Sequence, residues 1–168
     1  YTESKDFIAL YFDNCPVVVH GTNVLTMPEP GVCSCTLTCD PGYHVNGGGC
    51  DPDEYTVTYN SNNGQNQTVS QQVTYDATFE TKGGTTFTYA HHKMTQWDSV
   101  SGGNFPELGH TYTYDYVGNT GLRAIWEECA NDEISLSNNT CKQCVCSGTN
   151  GADCGTVATD TNTCNWGP

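Results

Sequence analysis

YTVTYN, spanning Tyr55 to Asn60, alternates from one residue to the next. Tyr55, Val57 and Tyr59 fall on one side of an extended backbone and Thr56 and Thr58 on the other, the period of a half-buried strand. Asn60 to Gly64 (NSNNG) then supplies a turn, because Asn and Gly tolerate the left-handed backbone that tight reversals need. Val73, Tyr75, Ala77 and Phe79 alternate again until Lys82-Gly83-Gly84 ends the run. Phe87 and Tyr89 keep the extended habit, and Met94 and Trp97 precede a turn at Gly102-Gly103. Tyr112, Tyr114 and Tyr116 alternate, as do Leu122, Ala124 and Trp126 after the turn from Gly118 to Gly121. No apolar set holds a helical period over several turns, so residues 51–128 read as a β domain. Tyr59, Tyr75, Trp97 and Trp126, with Leu122, are expected to share one aromatic core, since each ring buries roughly 150–250 Å².

Sulfur brackets that domain. Cys15, Cys33, Cys35, Cys39 and Cys50 precede it and Cys129, Cys141, Cys144, Cys146, Cys154 and Cys164 follow it, eleven in a chain of 168 residues. Between Cys129 and Cys164 the only large apolar side chains are Ile134, Leu136, Val145 and Val157, too few to build a core. Residues 1–50 and 129–168 therefore read as loop-rich segments stapled by disulfides, which persist only in oxidising compartments. Zinc is the rival explanation: Cys141-x-x-Cys144 has a zinc-like spacing, but Cys33-x-Cys35 and Cys144-x-Cys146 are tighter than paired knuckles. The odd count leaves one cysteine free, bonded to another chain or paired outside this sequence. The six in the tail can pair among themselves with Cys129 fixing its start. The five at the front cannot, and Cys15 is the most isolated of them.

At the front, Phe7 to Phe12 (FIALYF) and Val17 to Val19 have the β-branched and aromatic content of strands. FIALYF is too apolar to lie exposed, so it is expected to add to the chain's own sheet or to a neighbour's, where Cys15 would sit close enough to lock the contact. Met27-Pro28-Glu29-Pro30-Gly31 is expected to be a turn or linker. Pro41-Gly42 and Gly47-Gly48-Gly49 force reversals between cysteines. Cys39-x-Pro41-Gly42-Tyr43 followed by Gly49-Cys50 resembles the C-terminal half of an EGF-like module. Asp51-Pro52-Asp53-Glu54 reads as a solvated acidic linker, since its spacing is not that of a helical calcium loop.

Five Lys and Arg against nineteen Asp and Glu leave a net charge of −14, which repels phosphate backbones and anionic headgroups, so no nucleic-acid partner is expected. No apolar run approaches the ~20 residues that span a bilayer, so no direct membrane insertion is expected. With no initiator Met and no signal-peptide apolar region, the chain reads as a processed or excised piece. No catalytic, cofactor-binding or metal-binding constellation stands out. His91 and His92 would point to opposite faces of a strand, and His110 follows at no ligand spacing. Glu127-Glu128 and Asp132-Glu133 sit in a polar boundary that gives no means of separating two carboxyl pKa values. Asn66-Gln67-Thr68 and Asn138-Asn139-Thr140 fit the N-glycosylation acceptor pattern at Asn66 and Asn138.

The stretch from Tyr55 to Glu127 resembles the Listeria–Bacteroides repeat, or internalin B-repeat. The residues that carry the resemblance are YTVTYN, Gly64, VTYD (Val73 to Asp76), Trp97 and LRAIW (Leu122 to Trp126). The chain departs from the repeat at HHKMTQW (His91 to Trp97), which lacks two glycines and two aromatics, and at Asp76, where the repeat usually has Gly. The resemblance implies a central β-grasp-like, ubiquitin-like domain in which the helix is reduced or replaced, and a bacterial secreted or surface protein without enzymatic activity. The expectation is thus a mainly β protein, a β-grasp-like domain between two disulfide-stapled segments. It would act outside the cell as a structural or adhesion protein. Its partners would be copies of itself, neighbouring surface domains, or host proteins, matrix proteins or glycans. A disulfide-linked filament subunit and a secreted disulfide-rich binder or inhibitor are the alternatives.

Overall fold

Apolar alternation and glycine turns do produce a mainly β chain. The computed structural model describes residues 15–30, 32–130 and 133–143, and these contain twelve strands and no helix. The expected FIALYF strand and Cys144, Cys146, Cys154 and Cys164 lie outside the described residues. The chain divides into two units between Asp53 and Glu54.

The first unit is two hairpins held by sulfur. β1 (Gly21–Glu29) pairs antiparallel with β2 (Val32–Cys39), and β3 (Tyr43–Asn46) with β4 (Gly49–Pro52). The second reversal is tight because Gly47 and Gly48 both take positive φ, 55° and 92°, as a two-residue hairpin loop of this hand requires. Two sequence expectations fail here. Met27 to Glu29 is strand rather than linker: the register slips between Thr26 and Glu29, and this irregularity accommodates Pro28, which has no N–H to give a ladder. Val17 to Val19 is coil and turn, with Val17 fully exposed, because Pro16 and the turn at Val19-His20 leave no length for a ladder. No residue of the β1–β2 ribbon is fully buried, and an isolated two-stranded ribbon is marginal in water. Cross-links take the place of a core. Cys15 is bonded to Cys35 on β2, and Cys39 at the end of β2 is bonded to Cys50 on β4. His20 stacks on Tyr43 at 4.2 Å.

The second unit has a true core. β5 (Glu54–Asn60), β6 (Thr68–Thr74), β7 (Thr78–Glu80), β8 (His92–Ser99), β9 (Thr111–Thr113) and β10 (Thr120–Glu128) are followed by a short hairpin, β11 (Glu133–Ser135) and β12 (Cys141–Gln143). Four of them form a sheet in the order β6-β5-β10-β8, in which β5 and β10 are parallel and both outer pairs antiparallel. β7 and β9 pair separately. Val57, Tyr59, Val73, Phe79, Phe87, Met94, Trp97, Phe105, Tyr114, Leu122 and Ala124 make the core, with Trp126 packed half-buried against it. Tyr75 is half-buried in the turn after β6.

Several strands are shorter than their alternation suggests. The run Val73 to Phe79 is broken by a turn at Asp76, whose φ of 60° is left-handed, so β6 and β7 join different sheets. Phe87 and Tyr89 lie in irregular chain, and Tyr116 lies beyond the end of β9. On β8 the apolar residues Met94 and Trp97 are three apart, a spacing that regular strand geometry sends to opposite faces. Both are buried, because β8 is bulged against β10: Trp97 faces Ala124, Gln96 faces Ile125 and Met94 faces Trp126, leaving Thr95 as the extra residue. The Thr95 hydroxyl donates to the Ile125 carbonyl oxygen at 3.2 Å and so ties the irregular step to the neighbouring strand.

Tyr59 and Tyr114 are fully buried, and burial pushes both phenols up to about 12 from the ordinary 10.0. Above pH 10 the unfolded chain releases these two protons while the folded chain keeps them. The stabilisation they hold at lower pH is therefore lost as pH rises from 10 towards 12. Thermal melts across that window should show Tm falling. Tyr59→Phe should flatten the fall. A Tm insensitive to pH there would contradict the burial.

Candidate functional site

The segment that crosses from β7 to β8 turns sharply just before β8. His91 takes a φ of 56°, the His92 amide donates to the Tyr89 carbonyl at 3.1 Å, and the His92 ring folds back on the Tyr89 ring at 4.0 Å, nearly coplanar at 7°. His92 Nδ1 lies 2.6 Å from the Ala90 carbonyl, which fixes the ring. Trp126, at the end of β10, meets Tyr89 edge to face at 5.6 Å, and its indole N–H donates to the Ser61 carbonyl at 2.7 Å. The loop after β5 supplies the next wall. Asn63 donates from Nδ2 to the Thr88 carbonyl at 2.9 Å and accepts from Ser61 Oγ at 2.7 Å, so its amide is wholly structural.

The last wall comes from the cysteine-rich side. Cys129, buried at the end of β10, is bonded to Cys141 on β12, and the Cys129 amide donates to the His91 carbonyl at 2.7 Å. This clip holds the loop between β11 and β12 over β8. Asn139 in that loop, at φ 63°, imitates a strand residue: its Oδ1 accepts from the Met94 amide, and its Nδ2 donates to the Met94 carbonyl at 2.7 Å. Gly84 leaves room for it, since a Cβ there would lie 2.1 Å from the Asn139 nitrogen.

Together these elements enclose a groove of about 550 Å³ lined by Asn63, Gln65, Phe87, Thr88, Tyr89, Ala90, His92, Trp126 and the 135–139 loop. No Asp, Glu, Lys or Arg is among its lining residues, although the chain carries a net charge of −14.

The residues singled out from sequence fall in several places. Tyr59 and Trp97 meet in the core at 4.7 Å, while Trp126 forms a wall of the groove. Cys15 is not the unpaired front cysteine, because Cys35 takes it; the free thiol among the described residues is Cys33, exposed on β2. Cys129, Glu133 and Cys141 place ligand atoms within 4.8 Å of one another, but the two sulfurs are joined to each other and are not thiolate ligands. His110 pairs with Glu107 at 3.3 Å, and Glu127 with Lys93 at 3.1 Å. The acidic run is not the linker expected of it, because Asp51 and Pro52 belong to β4 and Glu54 to β5; Asn46 donates to Asp51 at 2.6 Å, and His44 lies 2.9 Å from Asp53. Asn66 and Asn138 are both exposed, and Thr140 donates to Asn138 Oδ1 at 2.6 Å. Sequence reasoning missed Tyr89, His92, Gln65 and Asn139. The available signal was the aromatic and imidazole pair spaced three apart, Tyr89 and His92. No protein-family model, curated protein or solved structure matches the chain.

The Cys129–Cys141 link closes a loop of sequence separation 12, worth about 3 kcal/mol by chain entropy. Replacing both cysteines by Ser should expose residues 133–143 to hydrogen exchange while the amides of β5 and β10 stay protected. Loss of protection in β5 and β10 at the same time would show that the clip supports the core rather than the groove wall. Asn139→Ala leaves the Met94 amide and carbonyl without their partner and should cost about 1–3 kcal/mol, measured by denaturant unfolding.

Proposed function

We propose that this chain is a non-enzymatic structural and adhesion protein that works outside the cell or on its surface, with bacterial origin following from the repeat resemblance. Its second unit would be a β-grasp-like interaction module. The observation that carries the location is the first unit's dependence on disulfides: with no fully buried ribbon residue, it holds its hairpins through Cys15–Cys35 and Cys39–Cys50. Such a unit suits an oxidising compartment and would come apart in a reducing one.

Two features support the β-grasp-like reading. The central strands β5 and β10 are parallel and each is flanked by an antiparallel neighbour. Asp76 takes the left-handed φ of 60° at the position where the repeat carries Gly, and Gly64 has φ 83°. The chain between β6 and β8 departs from it, with a short strand and irregular loop where a helix would cross the sheet.

The filament alternative keeps one specific observation. Cys33 is an exposed thiol on a ribbon whose Val24, Leu25, Met27 and Val32 are also exposed. Its disulfide would run through Cys33, since Cys15 is bonded to Cys35.

Fractionation of source cells, with thiols trapped at lysis and non-reducing gels, tests both readings. The expected result is an oxidised monomer in the surface or secreted fraction. A reduced, cytosolic protein would overturn the surface assignment. Ladders that vanish in Cys33→Ser would replace the adhesion reading by the filament.

A further inference from the structure

We infer that the groove between Tyr89, Trp126 and the disulfide-clipped 135–139 loop is a binding site for an uncharged saccharide. This deepens the surface-module reading by naming a ligand class for its candidate site. Its volume, about 550 Å³, lies in the range of roughly 300–1,000 Å³ typical of small-ligand sites and is large enough for more than one sugar ring. The walls decide the chemistry. A phosphate, sulfate or carboxylate ligand would find no Lys or Arg among the lining residues, and a cationic ligand no carboxylate. An aliphatic ligand would leave the hydroxyls of Thr88, Ser135 and Ser137 and the amide of Gln65 facing apolar surface, at the cost of their hydration. A neutral pyranose suits both components. Its face of C–H groups packs on an aromatic ring, and its hydroxyls both donate and accept, as do amides and hydroxyls.

The aromatic component is built in advance. Tyr89 is 37% exposed, yet it is held by the stack with His92 and the edge contact with Trp126. Trp126 is itself held by Ser61, and Asn63 and Asn139 spend their amides on the Thr88 and Met94 backbones. These hydrogen bonds immobilise the walls before any ligand arrives, which lowers the entropic cost of binding. The clip between Cys129 and Cys141 makes the site conditional on oxidation, because the 135–139 loop that closes it is held in place by that bond.

The test uses the purified, oxidised full chain on a panel of neutral gluco-, manno-, galacto- and N-acetylglucosamine oligosaccharides, with heparin and sialylated glycans as charged probes. Titration by Trp fluorescence and calorimetry follows. We expect retention on at least one neutral oligosaccharide and none on the charged probes. Tyr89→Ala should weaken binding by about tenfold, with Tyr89→Phe close to the wild type and both variants melting normally. Reduction or the double Cys129→Ser, Cys141→Ser variant should abolish binding. Failure on every neutral probe, preference for the charged ones, or binding indifferent to Tyr89→Ala would each overturn the inference. None of these outcomes bears on where the protein resides, so the surface assignment stands or falls by its own fractionation.

Discussion

Trp97 ties together parts of the second unit that would otherwise have no reason to meet. Its ring packs on Tyr59 of β5 and Phe87 of the crossing segment, its indole N–H donates to the Lys82 carbonyl at 2.8 Å, and its amide donates to the Pro106 carbonyl at 2.8 Å. One residue therefore satisfies two loop carbonyls and fills the centre of the sheet's buried face. It can do so only because β8 is bulged at Thr95. Were β8 to run through Thr95 in regular register, with no bulge, either Met94 or Trp97 would turn outward, and the core would lose one of its large side chains. Removing a buried Trp or Phe costs roughly 3–5 kcal/mol, a large part of the stability of a domain this size.

Sulfur and packing divide the work along the chain. Where apolar burial is ample, from Glu54 to Glu128, there is no cysteine; where it is scarce, cystines supply the constraint. The Cys129–Cys141 clip stands at the boundary between the two regimes. Cys129 is buried against the packed unit, so the link transmits the order of the core to a hairpin too short to hold itself. The groove depends on that transmission, since one wall belongs to the core and the other to the hairpin.

The strands at the centre of the sheet were legible because their alternation is strict. Val57 and Tyr59, and Leu122 and Ala124, are buried as their period requires. Legibility failed wherever a single residue broke the period. Asp76 ends one strand by taking a left-handed φ, which an Asp side chain tolerates but which the apolar alternation running through it does not register. Thr95 shifts a face through a bulge, which no alternation rule registers. Pro28 sits inside a ribbon strand because the irregularity there asks nothing of its missing N–H. The groove was less legible still. It is assembled from four segments far apart in sequence, and its position depends on a cystine whose pairing cannot be deduced by counting. Tyr89 read as one more strand residue because only the turn at His91 reveals that its ring stacks on His92 rather than entering the core.

The edges of the four-stranded sheet constrain how this unit can meet another chain. An open edge offers unpaired amides and carbonyls to any extended partner. At β8 that offer is withdrawn in two places: Asn139 takes the Met94 amide and carbonyl, and Pro106 takes the Trp97 amide. The bulge at Thr95 further disturbs the regular register that strand addition requires. The opposite edge, β6, is mostly polar where it is exposed, with Thr68, Ser70 and Gln72, and Val69 is the single exposed large apolar side chain it gives an added strand to cover. Strand addition to this sheet is thus disfavoured at both edges for different reasons. Among the described residues, the groove and the exposed side chains of the first unit's ribbon are free of both of these obstacles.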